Sequence, residues 1–80
     1  MNSPIAPSVG RVVLYVQTDS HVTSALITRV HSEDCINLMA MIDGDGAFPR
    51  TSVQYDEGKS VGTWHWMPYQ IQADAARKEA

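Results

Sequence analysis

The chain has a single cysteine, Cys35, so no disulfide can form within it and the disulfide-framed mini-proteins are excluded. It also has no run of basic residues. Six Lys and Arg stand against nine Asp and Glu, for a net charge of -3, which makes phosphate-driven nucleic-acid binding a poor fit. No stretch approaches the roughly 20 apolar residues of a membrane helix. The opening Met1-Asn2-Ser3-Pro4-Ile5-Ala6-Pro7 lacks the basic and apolar regions of a secretory signal, so a cytoplasmic protein without membrane contact is expected. Glycine-rich phosphate loops, a Gly-x-Ser-x-Gly elbow and recognisable carboxylate pairs are missing, which argues against an enzyme. His21, His31, His65 and Cys35 show none of the paired spacings of a zinc site, and Asp43-Gly44-Asp45-Gly46 lacks the closing glutamate of a calcium loop. Neither a metal nor a cofactor is expected.

What remains is an ordinary globular composition, 44% hydrophobic and 19% charged over 80 residues, which suits one small domain. Pro4 and Pro7 mark residues 1–8 as an extended, flexible lead-in. Arg11–Gln17 is β-branched and aromatic and closes on Thr18-Asp19-Ser20, giving a first strand. A second centres on Ala25–Val30 and a third on Cys35–Ile42, followed by the Asp-Gly pairs of a tight hairpin. Phe48–Tyr55 makes a fourth, with Pro49 near an edge or bulge, and Val61–Met67 a fifth that Pro68 stops. Five short strands in residues 9–69 predict an all-β domain, a small five-stranded SH3-like barrel rather than a sandwich. The polar, alanine-rich residues 70–80 read as a short helix or tail. Neither end offers a large apolar surface, so the first six and last eight residues are expected to be dispensable for folding.

The third strand is apolar on both faces. Ile36, Leu38, Ala40 and Ile42 alternate onto one, while Cys35, Met39 and Met41 line the other, interrupted only by Asn37. Cys35 fits a small buried hydrophobe in a reducing compartment. The stripe of Met39 and Met41 calls for a cover, and a domain this small gains only about 3–5 kcal/mol from its own core. A homo-oligomer with Met39 and Met41 at its interface is the expectation.

Pro7-Ser8-Val9-Gly10-Arg11-Val12-Val13, Ala25-Leu26-Ile27-Thr28, Ser52-Val53-Gln54-Tyr55 and above all Gly62-Thr63-Trp64-His65-Trp66 resemble a group of short, functionally uncharacterised proteins of tailed bacteriophages and prophages. The likeness covers residues 7 to 68 and departs in having Met67 between Trp66 and Pro68. It implies a phage origin, a bacterial host cytoplasm, and no specific activity.

Period-2 alternation sets Trp64 and Trp66 on one face and Thr63, His65 and Met67 on the other. Trp64, inside the strand, is expected in the core. Trp66, near its end, is expected at a rim where a flat ligand stacks, and His65 at the surface or in a hydrogen bond. With Arg50, Arg11 and Arg29 as bidentate cations, Trp66 and Trp64 would capture a small anionic ligand, such as a host signalling nucleotide, between subunits. The alternative is a protein-interaction or structural SH3-like adaptor, acting in phage assembly or binding and inhibiting a host protein, host defence included.

Overall fold

Strands form where β-branched and aromatic residues alternate, and turns where Asp, Gly and Ser interrupt them. The computed structural model describes residues 3–79. It contains β1 (Val12–Thr18), β2 (His21–Val30), β3 (Cys35–Ile42), β4 (Gly46–Tyr55), β5 (Thr63–His65) and the helix α1 (Pro68–Glu79). β1 to β4 run as an antiparallel meander, and β5 closes the barrel by pairing parallel to β4 and antiparallel to β1. This is the small five-stranded barrel that strand number and spacing predict. Residues 1, 2 and 80, the outermost positions of the lead-in and tail, lie outside the described residues.

β3 has the limits its apolar run suggests. β4 starts earlier than Phe48, because Gly44 and Gly46 take φ of 81° and 103° and the hairpin can pair Ile42 with Gly46 at once. Pro49 costs no ladder bond on the far side of β4, since β5 pairs only with Gln54 and Tyr55. β5 is far shorter than Val61–Met67. Gly62, at φ 84°, turns the chain into it while its N–H donates to the Val16 carbonyl at 2.8 Å. Past His65 the chain leaves the sheet for α1.

The core follows from the register. Val13, Ala25 and Ala40 form one inward row, Ile27 and Leu38 another, and Tyr15, Trp64 and Tyr55 a third that crosses the closing strands. Trp64 is fully buried. An aromatic of that size removes about 150–250 Å² from water, about 4–6 kcal/mol at the usual coefficient, more than any aliphatic here can supply.

The lead-in does more than its prolines suggest. Ile5 is buried in the core cluster, and Ser3 donates its N–H to Asp34 Oδ1 at 2.7 Å while its hydroxyl accepts the Trp66 indole N–H at 2.6 Å. One aliphatic suffices because it is added to a core already formed, and a buried indole N–H needs an acceptor that no strand provides. The expectation that residues 1–6 are dispensable is corrected accordingly.

The tail is a helix with Pro68 at its first position, where the missing N–H is no loss. Gln70, buried, tethers it. Its Oε1 accepts the Met67 N–H at 2.8 Å and its Nε2 donates to the Val12 carbonyl at 2.9 Å, so one side chain caps the helix and attaches it to β1. Ala75, Ala76 and Arg77 stay exposed.

Ile5→Ala should cost about 2 kcal/mol, the low end for such truncations. That corresponds to roughly 10 °C in Tm for a domain of this size. A chain ending at residue 72, which keeps Gln70, should melt within a few degrees of the full chain. Thermal circular dichroism of both checks the asymmetry between the ends.

Candidate functional site

Alternation through β5 brings both tryptophans to the core side. Their rings meet edge to face at 5.3 Å, and Trp64 meets Tyr55 the same way at 5.1 Å. Trp64 also donates its indole N–H to the Asp34 carbonyl at 2.9 Å, the structural part expected of it. Trp66 is not at a rim. It is 2% exposed, with the Arg11 guanidinium 4.8 Å from its ring centroid. No open face is left for a planar ligand to stack on, because the chain beyond β5 folds inward under Ser3 and Arg11.

The other arginines do not join this pair. Arg50 lies on β4 opposite Leu38 and donates Nη1 to the Pro49 carbonyl at 2.9 Å, while Arg29 lies exposed on β2 opposite Asn37. Between them, Asn37 Oδ1 accepts the Ser52 N–H and meets His31 Nε2, each at 2.9 Å, and so holds two bulged strand pairs together. Within one copy of the chain, Trp66 is thus not brought together with Arg50 and Arg29. Met39 is half-buried and Met41 exposed on the outer face of β3, and Cys35 beside them is half-buried rather than buried.

The sequence reading passed over a different site. A cavity of about 380 Å³ opens between the barrel and the first turns of α1. Leu14, Trp66, Pro68 and Ile71 give it an apolar wall, and Glu57, Lys59 and His65 bring charge and hydrogen-bonding capacity. His65 points away from Trp64, as alternation requires, and pairs in register with Leu14. It is nevertheless only 7% exposed, and its Nδ1 is buried without a hydrogen-bond partner. The surface or hydrogen-bonded histidine expected from the pattern is therefore corrected: the ring is buried in the wall of the cavity that Pro68, Ile71 and Gln72 also line. Burial first, and the Lys59 charge second, hold the imidazole pKa below its ordinary 6.5, so the ring is neutral at neutral pH. A buried polar atom left unpaired costs about 1–3 kcal/mol.

Lys59 carries a cost of its own. Its φ of 63° is left-handed, a conformation disfavoured by about 1–2 kcal/mol for a residue with a Cβ. The loop is fixed by Asp56, whose carboxylate accepts the Gly58 N–H at 2.9 Å, the Ser60 hydroxyl at 2.5 Å and the Ser60 N–H at 3.3 Å. These bonds, the Ser60 hydroxyl foremost, hold the Asp56 carboxyl below its usual range. On the same loop Glu57 Oε1 accepts the Tyr55 hydroxyl at 3.0 Å. Burial, then Glu57, raises the Tyr55 pKa, so the phenol stays a donor and pins the carboxylate.

Sequence reasoning took Asp56-Glu57-Gly58-Lys59-Ser60 as a turn and nothing more. The signal it carried was a lysine and a carboxylate just before an aromatic strand holding a histidine. A second hollow, about 340 Å³ between the β1–β2 and β3–β4 turns, is lined by His21, Asp43 and Asp45 but contains no unpartnered buried group among the described residues. Among those residues no cluster of three or more His, Cys, Asp or Glu could hold a metal, and no helix is long and apolar enough to cross a membrane. Searches of protein-family models, curated proteins and solved structures find no match to this chain.

The depressed His65 pKa fixes a sign. At pH above 6.5 the ring is neutral both folded and unfolded; below it the unfolded chain takes up a proton that the folded one resists, so stability falls as pH drops from 6.5 towards the lowered folded value. Urea unfolding of the wild type should show this decline, and His65→Gln should remove its part of the slope between pH 6.5 and 5.

Proposed function

We propose that this chain is a binding module for a small anionic ligand with an apolar body, held in the cavity between the barrel and α1. The observation that carries the reading is His65, buried with an unpartnered nitrogen in the wall of that cavity beside Lys59. Two local costs fall on this hollow, an unsatisfied imidazole and one of the two left-handed non-glycine residues among the described ones, the other being Ser52 on β4. Strain and unsatisfied groups gather where a ligand is to be met. Lys59 supplies the positive charge, the neutral His65 a hydrogen bond, and Leu14, Pro68 and Ile71 the surface for an apolar body. Binding rather than turnover is the reading, because among the described residues no serine, threonine or cysteine lines the cavity for the imidazole to activate. The resemblance of residues 7–68 to tailed-phage proteins supports a setting in the cytoplasm of an infected bacterium, where a host signalling nucleotide is one ligand of suitable chemistry.

Lys59→Gly separates binding from folding. Relief of the left-handed strain and the added backbone freedom roughly offset, so stability should be unchanged or higher by up to about 1 kcal/mol. Ligand-induced thermal shifts across a set of aromatic carboxylates and mononucleotides should appear in the wild type and vanish in this variant. A wild type that no member shifts at millimolar concentration removes the reading.

A second reading, a protein-interaction barrel, rests on the outer face. Val12, Leu26, Met39 and Pro49 are register partners across four strands, so their side chains make one apolar row, and Met41 adds to that face of β3. The occupant proposed is a second copy of this chain, in keeping with the marginal core of so small a domain. Sedimentation at high micromolar concentration should give more than the monomer mass of 8.8 kDa, and replacing Met39 and Met41 by Glu should return it to the monomer. A native monomer overturns the self-association.

A further inference from the structure

We infer, on the reading of the α1 cavity as a ligand site, that it selects a singly charged oxyanion, a carboxylate or phosphodiester, and rejects ligands with two or more negative charges. The inference rests on the balance of charge around the hollow. Its lining has one cation, Lys59, whose ammonium makes no hydrogen bond or ion pair among the described residues. It has one anion, Glu57, two residues away on the same loop and held by the Tyr55 hydroxyl. His65, neutral, adds hydrogen-bonding capacity and no charge. One negative head group between Lys59 and His65 meets the one cation, while Glu57 is already engaged by the Tyr55 hydroxyl. A second would find no further cation among the described lining residues and would add a like charge beside Glu57.

Two further features agree. None of Arg11, Arg29, Arg50 and Arg77 is among the residues lining the cavity, so the planar fork that binds a phosphate dianion through two parallel bonds is absent from its lining. The volume, about 380 Å³, is near the low end of the roughly 300–1,000 Å³ typical of small-molecule sites, with little room for a polyphosphate beside an apolar body.

The test holds the ligand body fixed and varies its charge. Phenylacetate, phenylacetamide and phenylsuccinate share a phenyl ring and carry one, no and two negative charges. Adenosine 3′,5′-cyclic monophosphate and adenosine 5′-monophosphate form the matching pair for a phosphodiester. Titrations of the full chain, followed by calorimetry and by the Lys59 amide and His65 ring resonances, give each affinity. The singly charged member of at least one series should bind at least about tenfold more tightly than its amide or its dianion, the scale of one charge-assisted hydrogen bond. The series that does so identifies the head group as carboxylate or phosphodiester. Lys59→Gly should abolish the preference for phenylacetate over phenylacetamide, and His65→Gln should weaken the singly charged ligand with less effect on the amide. If the dianions bind as tightly as the monoanions or tighter, charge selection is overturned while the cavity stands as a ligand site. If none of these probes shifts the Lys59 and His65 resonances at millimolar concentration, both readings fall.

Discussion

The structure depends on how Trp64 closes the barrel. β5 has only three residues, too few for its ladder bonds to hold β1 and β4 together unaided, so closure rests on a side chain. The Trp64 indole fills the space between Tyr15 and Tyr55, and its N–H reaches the Asp34 carbonyl, which also accepts the Tyr55 N–H at 2.9 Å. The Asp34 carboxylate meanwhile takes the Ser3 N–H. One turn residue thus joins the start of the chain, the end of β4 and the closing strand. These are contacts between residues far apart in sequence, so none can form until the meander is in place.

Closure decides what lies on each side of β5. With Trp64 and Trp66 committed to the core, His65 must face outward, and the chain cannot leave that face bare because the next residues turn into α1. Gln70 secures the turn, with its oxygen on the helix start and its nitrogen on the Val12 carbonyl of β1. The cavity is the space left over between a barrel and a helix joined at essentially one point. Its polar lining comes from a loop whose shape is set by Asp56, and Asp56 in turn donates its N–H to the Trp64 carbonyl. The candidate site is therefore built outward from the same tryptophan that seals the core.

Satisfied and unsatisfied groups are unevenly distributed. Both indole N–H groups, the Gln70 amide and the Tyr55 hydroxyl all have partners, whereas the single buried unpaired side-chain atom among the described residues is His65 Nδ1. Natural domains depart from internal consistency chiefly at sites of function. The outer apolar row through Met39 is a different kind of feature. It is built of apolar side chains on regular strand and leaves no polar group unpaired, so it bears on association rather than on small-ligand chemistry.

By itself the sequence determined the barrel: β-branched runs of strand length, Asp-Gly and Ser-rich turns at even spacing, and the alternation that makes Trp64 a core residue are local properties, and local propensity and tertiary outcome agree for them. It equally determined that Lys59 sits in a turn and that His65 faces away from the tryptophans. Tertiary structure alone decided the rest. Trp66 is buried because Ser3 and Arg11, far from it in the chain, come to it; Ile5 joins the core because the barrel end is there to receive it; His65 lines a cavity because Gln70 ties α1 back to β1. Alternation along a strand tells which side a residue faces, while what covers that side depends on segments whose approach no local pattern encodes. The strand pattern therefore showed the barrel, and the cavity between barrel and helix emerged only when the two were brought together.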